Sequence, residues 1–81
     1  MPWIEKDNTL TSSFTFKDFS EAFAFMVRVA MEAEKMDHHP HWVNVYNQVE
    51  IRLATHDAGN MVTEKDRLLT AKIDLLAGPQ K

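Results

Sequence analysis

The sequence WVNVYNQVEIRLA, residues 42–54, alternates apolar and polar side chains on both sides of a turn-forming pair. Val43 and Val45 alternate with their neighbours before Asn47-Gln48, and apolar residues recur at every second position after it, at Val49, Ile51 and Leu53. A period of two is typical of strands with one buried and one wet face. The stretch therefore predicts a β-hairpin that turns near Asn47-Gln48.

The sequence before this hairpin predicts a second hairpin and then a long helix. Residues 3–6 and 9–16 are rich in aromatic and hydroxylated side chains and flank Asp7-Asn8, a pair that favours turns. Asp18 or Ser20 can cap a helix that runs to about Met36. Its apolar side chains form two rows: Phe19, Phe23, Met26, Val27, Ala30 and Ala33 in one, and Phe25, Val29 and Met36 in the other. We expect one surface of the helix to face the sheet and another to face a second subunit.

The sequence after the central hairpin predicts a loop and a second helix. Thr63 stands three residues before Asp66, which is the spacing of a capping box. The helix that follows would end at Gly78-Pro79 and bury Leu69, Ile73 and Leu76. The order ββαββα predicts a single α+β domain over residues 1–81. Its four-stranded antiparallel sheet would consist of two hairpins, with helices packed on one face.

Composition limits the function classes that remain. The chain has 81 residues, a net charge of −3 and no cysteine, and it contains no basic run for neutralising phosphates, so direct nucleic-acid binding is not expected. Its apolar runs are too short to span a bilayer, and residues 1–6 do not form a signal peptide, so we expect a cytoplasmic protein without a membrane segment. A domain of this size buries only about 60–65% of the surface that its unfolded chain exposes, which favours an oligomer.

All four histidines lie within nineteen residues, and the first three stand at the junction of the first helix and the third strand. His38, His39 and His41 surround Pro40, which excludes helical geometry at the residue before it. His56 follows the strand that pairs with the strand after Trp42, and a turn at Asn47-Gln48 would set His56 opposite His39. His38, His39 and His56 are therefore expected to converge at one end of the sheet.

Three interpretations of this cluster remain open at this stage. The histidines could be loop residues satisfied by backbone hydrogen bonds. They could hold zinc or copper, with His38, His39 and His56 as ligands, although adjacent histidines in an extended segment tend to point apart. They could transfer protons, because an imidazole that titrates near neutral pH both gives and takes protons. His41 receives no role.

Two acidic residues accompany the histidines. Asp66 is explained as the helix-capping residue that pairs with Thr63, and a role in the site is compatible with that. Glu34 lies one helical turn before His38, where an ordinary exposed residue is an equally simple explanation.

The residues from Glu34 to Asp66 closely resemble the pterin-4a-carbinolamine dehydratase family. They follow the pattern E-x(3)-H-H-P-x(5)-Y-x(9)-H-x(9)-D, and the similarity extends from about Thr11 to Leu76. The resemblance implies a hydro-lyase that expels water from a 4a-hydroxytetrahydropterin, the product of aromatic amino acid hydroxylases, and yields a quinonoid dihydropterin. It implies no metal and no organic cofactor.

The resemblance also implies roles for individual residues. His39 resembles the principal general acid/base, and His38 and His56 resemble catalytic partners that also bind the pterin. Glu34 and Asp66 resemble further substrate-binding residues, and Asp66 in particular resembles the acid that orients an imidazole or holds the ring. The family implies a homodimer or homotetramer, and by analogy alone a transcription-factor partner.

The alternative function is a non-catalytic interaction or dimerisation module that retains the fold. Two departures are noted: family members carry a helix before the first strand, and the loop after His56 is one residue longer here.

Overall fold

The computed structural model describes residues 3–79. The elements follow the order that the sequence predicts, strand-strand-helix-strand-strand-helix, with a short 3-10 turn before the last helix. They are β1 (Ile4–Lys6), β2 (Thr9–Thr15), α1 (Phe19–Met36), β3 (His41–Val45), β4 (Gln48–Leu53), the 3-10 turn His56–Ala58 and α2 (Glu64–Ala77). The prediction of a single domain over residues 1–81 extends at both ends beyond the described residues.

The four strands form one antiparallel sheet in the order β1-β2-β4-β3. Strand period places alternate side chains on opposite faces, and one face of β2 and β4 carries the core side chains Leu10, Phe14, Val49, Ile51 and Leu53. The helices supply the rest of the core, so they cover this face. The predicted fold class, an α+β sheet of two hairpins with helices on one face, is confirmed.

The central hairpin turns one residue earlier than the sequence predicts. Val45 pairs with Gln48, so the turn residues are Tyr46 and Asn47. Tyr46 has a φ of 53° in the left-handed region, which costs a residue with a side chain about 1–2 kcal/mol. Asn44 offsets this cost, because its side-chain amide donates to the carbonyl oxygens of Tyr46 and Gln48 at 3.2 and 2.8 Å.

This register corrects the predicted pairing of two histidines. His41 lies opposite Arg52, and continuing the register by two residues sets His39 opposite Ala54, not opposite His56. Neither His39 nor His56 belongs to a strand. His56 instead begins the 3-10 turn that follows β4.

Helix α1 begins at the cap that its sequence predicts, and it packs mainly through Phe25 and Val29 of the second row, together with Ala33 of the first. The Asp18 carboxylate accepts a hydrogen bond from the Glu21 amide at 2.9 Å. The buried positions are Ala22, Phe25, Val29 and Ala33. The first predicted row is largely exposed, including Phe19, Phe23 and Val27, with Met31 beside it. Both rows are apolar, so periodicity alone does not indicate which one faces the sheet.

Helix α2 has the predicted capping box, with Thr63 as the cap and Asp66 at the third helical position. Leu69 and Ile73 are buried as predicted, and Leu76 is half-buried against the core. The helix ends at Ala77, where Gly78 takes a positive φ. Within residues 3–79, neither helix has the length and apolar character needed to traverse a bilayer.

Candidate active site

A buried histidine–aspartate pair connects the end of α1 to the start of α2. After Met36 the chain reverses at Asp37, which has a φ of 52°, and the His38 amide donates to the Ala33 carbonyl at 3.0 Å. The His38 side chain thereby enters the interior, where its Nε2 lies 2.6 Å from Asp66 Oδ1. The Asp66 side chain is fully buried and the His38 side chain is 8% exposed. Burial excludes competing water and strengthens this contact.

Both carboxylate oxygens of Asp66 are engaged. While Oδ1 contacts His38, Oδ2 accepts hydrogen bonds from Thr55 Oγ1 and from the Thr63 amide, each at 2.8 Å. The same carboxylate therefore caps α2 and fixes the His38 ring. The sequence-based interpretation of Asp66 as a capping residue is compatible with its contact to a histidine, as expected.

His39 points to the surface, next to Glu34. Its Nε2 lies 2.8 Å from Glu34 Oε1, and the two side chains are 59% and 81% exposed. An exposed pair of this kind adds only about 0–1 kcal/mol to stability. Its main effect is on the imidazole: because a carboxylate oxygen only accepts, Nε2 carries the proton and Nδ1 is left for another partner.

His56 is held by the loop that follows it. Its Nδ1 lies 3.3 Å from Asn60 Oδ1, which leaves Nε2 without a partner among the described contacts. The loop is closed by an isolated bridge between Thr55 and Met61, where the Thr55 amide donates to the Met61 carbonyl at 2.8 Å. The longer loop noted in the sequence is thus anchored at both ends.

The three histidines border one concavity of about 340 Å³ at the end of the sheet. We refer to it as the histidine concavity; it is lined by Asp37, His38, His39, Ala54, Thr55, His56 and Lys65. Asp66 is linked to the concavity by its contact with His38, and Glu34 by its contact with His39. Its volume falls within the range of small-molecule sites.

Four of these lining residues received no role from the sequence: Asp37, Ala54, Thr55 and Lys65. Lys65 occupies the first turn of α2, immediately before Asp66, so its position follows from that of its neighbour. Thr55 lines the concavity and also donates to Asp66. A hydroxyl between a strand end and a capping box is a weak signal, because turns and caps favour threonine for other reasons.

His41 is separated from the other three histidines by Pro40 and borders a second concavity of about 330 Å³. We call it the arginine concavity; it is lined by Thr9, His39, His41, Arg52, Leu53, Ala54 and Asn60. His39 and Ala54 line both concavities. Among the side chains that residues 3–79 describe, no three histidines or acids are arranged to hold a metal ion.

Comparison with known proteins places this α+β domain in the pterin dehydratase class. A crystal structure from Brucella melitensis, described as a transcriptional coactivator/pterin dehydratase, superposes with a TM-score of 0.89. It is 50% identical in sequence, and the match covers 94% of this chain and 82% of that one. The sequence model of the family described as pterin 4 alpha carbinolamine dehydratase matches residues 1–76. The chain belongs to this family, and its activity class is that of a dehydratase, a hydro-lyase.

Further relatives show the same family. A protein of Rhodospirillum rubrum, provisionally named a pterin-4-alpha-carbinolamine dehydratase, is 58% identical over 69 residues, which cover 85% of this chain and 71% of the relative. A protein of Nitrobacter winogradskyi with the same provisional name is 59% identical over 68 residues, which cover 84% of this chain and 66% of the relative.

A more distant structural neighbour has a different role. It is described as a pterin dehydratase-like protein identified as a RuBisCO assembly factor in the alpha-carboxysome. It superposes with a TM-score of 0.78 at 25% identity, covering 98% of this chain and 90% of that one.

Proposed function

We propose that the histidine concavity binds a 4a-hydroxytetrahydropterin and dehydrates it to the quinonoid dihydropterin by histidine acid/base catalysis. The observation that carries this proposal is the convergence of His38, His39 and His56 on one concavity of about 340 Å³. Elimination of water requires a proton for the departing C4a hydroxyl and removal of the proton on N5. Imidazoles can do both near neutral pH, because they exchange protons there.

We assign His39 as the principal acid/base. With Nε2 engaged by Glu34, its Nδ1 is the nitrogen that faces no competing acceptor among the described contacts. As an imidazolium, His39 gives the Nδ1 proton to the C4a oxygen, which leaves as water. The N5 proton is taken up by a neutral imidazole while the C4a–N5 double bond forms, so the proton count of the protein is restored at the end of the cycle.

We assign His38 and His56 as the partners of His39. Asp66 accepts from Nε2 of His38, so that Nδ1 of His38 remains for the pterin or for a proton. His56 offers Nε2, because Nδ1 lies near Asn60. Asp66 is fully buried with both oxygens engaged, so we propose that it contributes by positioning His38, and that Glu34 contributes by holding His39 at the pterin.

A stopped-flow assay of 4a-hydroxytetrahydropterin breakdown tests this proposal directly. We expect the His39→Ala variant to lower kcat/KM by about 10² or more, since general acid–base catalysis contributes about 10² to 10⁴. Arg28→Ala, an exposed change on α1, serves as the control and should leave the rate unchanged. If His39→Ala retained the full rate while remaining folded, the assignment of His39 would be rejected.

A metal site at the same histidines is the alternative chemistry, and elemental analysis distinguishes the two. Stoichiometric zinc in the purified protein that is lost on His38→Ala would favour a metal site over metal-free dehydration. We propose that no metal or organic cofactor is needed, because the imidazoles can supply both proton transfers. We also propose the cytoplasm as the location.

The second candidate function is an interaction or dimerisation module, and the exposed row of α1 favours it. Phe19, Phe23, Val27 and Met31 remain uncovered along one side of the helix. Large exposed apolar patches are typical of interfaces, and we propose that a second copy of the chain covers this row in a homodimer or homotetramer. A transcription-factor partner is an analogy with the Brucella melitensis neighbour.

The interface test needs exposed residues of α1. Phe25 and Val29, of the second apolar row, are in the core, where a charge would unfold the domain. Phe23→Glu and Val27→Glu are the appropriate variants. Loss of dimer or tetramer by sedimentation, with intact circular dichroism, would support the interface. Inactive wild-type protein that nevertheless forms a stable complex through this row would favour the module over the enzyme.

A further inference from the structure

The arginine concavity adjoins the proposed active site and has a different chemical character. It shares His39 and Ala54 with the histidine concavity and adds the donor side chains of His41, Arg52 and Asn60. The described residues that line it include no carboxylate. Side chains rich in hydrogen-bond donors favour ligands that offer oxygen acceptors.

The chemistry of the substrate connects the two concavities. In a 4a-hydroxytetrahydropterin, C4a is bonded to N5 and N5 is bonded to C6, which carries the variable side chain. A residue that acts at C4a and N5 therefore lies close to the point where this side chain begins. His39 is assigned to these atoms and borders both concavities.

We propose that the arginine concavity is the subsite for the C6 side chain of the pterin and that it recognises oxygen atoms on that side chain. This inference rests on the proposed dehydratase function. The oxygen atoms can belong to neutral hydroxyls or to an anionic group such as a phosphate, and both are acceptors that Arg52 and His41 can bind.

The sheet holds the two main recognition residues side by side. His41 on β3 lies directly opposite Arg52 on β4, so both side chains project from the same face of the sheet. Arg52 Nη2 and Glu50 Oε1 form an ion pair at 3.6 Å, which is too long for a hydrogen bond. Both side chains are partly exposed, and an exposed pair of this kind is weak, so the guanidinium donors of Arg52 can engage a ligand beside Glu50.

Asn60 connects the subsite with the histidine concavity. Its Oδ1 lies near His56 Nδ1 at 3.3 Å, while its side chain also lines the arginine concavity. With Oδ1 directed at the imidazole, the amide nitrogen Nδ2 remains as a donor. A side chain that enters from His39 would therefore meet donors from β3, from β4 and from the loop after His56.

A substrate series tests the subsite. The substrates are 4a-hydroxytetrahydropterins whose C6 substituent is methyl, 1,2-dihydroxypropyl or a phosphorylated polyhydroxypropyl group. We expect the wild-type kcat/KM to favour the oxygenated substrates over the methyl one. Arg52→Met should reduce that preference about 2- to 5-fold, the effect of losing one solvent-exposed charged contact. His41→Gln should reduce it in the same direction. Arg28→Met, the matched control, should leave the preference unchanged.

The outcomes separate the source of the oxygen atoms from the existence of the subsite. A loss confined to the phosphorylated substrate indicates recognition of an anion, and a loss shared by the dihydroxypropyl substrate indicates recognition of hydroxyls; both support the subsite. Equal preference for all three substrates in the wild type overturns it, as does a preference that survives both Arg52→Met and His41→Gln.

Failure of the subsite and failure of the dehydratase proposal are distinguishable. If the wild-type protein accelerated none of the three substrates, the dehydratase function would be refuted. Titration calorimetry with the corresponding 7,8-dihydropterins would then test the subsite alone. A dissociation constant that does not depend on the C6 substituent would refute it, and one that rises on Arg52→Met only for oxygenated side chains would support it.

Discussion

Replacing Asp66 by asparagine or alanine separates the structural and the chemical roles of this carboxylate. Asp66 is fully buried and accepts from His38 Nε2 at 2.6 Å and from Thr55 Oγ1 and the Thr63 amide at 2.8 Å. Asp66→Ala leaves three donors without their acceptor. Each buried donor that loses its partner costs about 1–3 kcal/mol, and loss of a helix cap costs about 1 kcal/mol.

The expected loss for Asp66→Ala is smaller than the sum of these costs. The Thr55 hydroxyl can still bond to the Thr63 hydroxyl, 2.5 Å away, and the His38 side chain is slightly exposed. We therefore expect a loss of about 3–5 kcal/mol in the free energy of unfolding, a large share of the roughly 5–15 kcal/mol typical of a domain. Urea denaturation followed by far-ultraviolet circular dichroism measures it.

Asp66→Asn should preserve the fold and impair the chemistry. Its amide oxygen can take the place of Oδ2 and accept from Thr55 and Thr63, but its amide nitrogen then faces His38 Nε2. Two donors cannot bond to each other, so the neutral His38 ring must move its proton to Nδ1. We expect a stability loss of about 1–2 kcal/mol and a fall in kcat/KM of about 10².

The tautomer of His38 is the decisive measurement for Asp66→Asn. Nitrogen-15 chemical shifts of the imidazole distinguish a proton on Nε2 from one on Nδ1. An Asp66→Asn protein that kept full kcat/KM with the Nδ1 tautomer would refute the reasoning that Asp66 positions His38 for catalysis. An Asp66→Ala protein as stable as the wild type would refute the structural half.

Three further predictions concern the scaffold. Ile51→Ala should lower the free energy of unfolding by about 2–5 kcal/mol in urea titrations, because Ile51 is fully buried at the centre of β4; a loss below 1 kcal/mol would contradict this packing. Tyr46→Gly should raise the same free energy by about 1 kcal/mol, since glycine adopts the observed φ of 53° without strain; unchanged or lower stability would contradict it. A hydrogen bond from Lys35 and the charge of Lys35 hold the pKa of Glu32 below its usual value, and Lys72 adds to both effects. Ionised Glu32 therefore stabilises the fold at pH values above its unfolded-state pKa, and this contribution is lost as the pH falls through its lowered folded-state pKa. Lys35→Met should raise the pKa of Glu32 in a nuclear magnetic resonance titration, and an unmoved titration curve would refute the assignment.

Local signals in the sequence predicted most of the fold. The caps at Asp18 and Thr63, the turn pair Asp7-Asn8 and the alternation in β4 are all short-range patterns, and each element appears where these patterns indicate. The error in the position of the hairpin turn and the undecided packing face of α1 both concern choices that short-range patterns leave open. The side-chain amide of Asn44 stabilises the turn after Val45. Tertiary packing against the sheet, not periodicity, decides which apolar residues of α1 are buried.

The site was only partly accessible from the sequence. The resemblance implied that Asp66 orients an imidazole or holds the ring, but not which imidazole it contacts. His38 and Asp66 are 28 positions apart and meet only when the end of α1 packs against the start of α2. The position of Lys65 depends on the same packing. The neighbourhood of His39 and Arg52 could not be anticipated either, since it depends on the register between β3 and β4.

Because Asp66 both caps α2 and contacts His38, opening of the first turn of α2 is expected to affect the rate of the proposed reaction. Any fluctuation that frays the first turn of α2 withdraws the acceptor from the Thr63 amide and from the His38 ring in the same event. Amide hydrogen exchange at Thr63 and transient loss of the orientation of His38, which we propose to be required for catalysis, therefore share one opening equilibrium. Solution conditions that loosen this turn should slow the enzyme well before they melt the sheet, because local openings need less free energy than global unfolding.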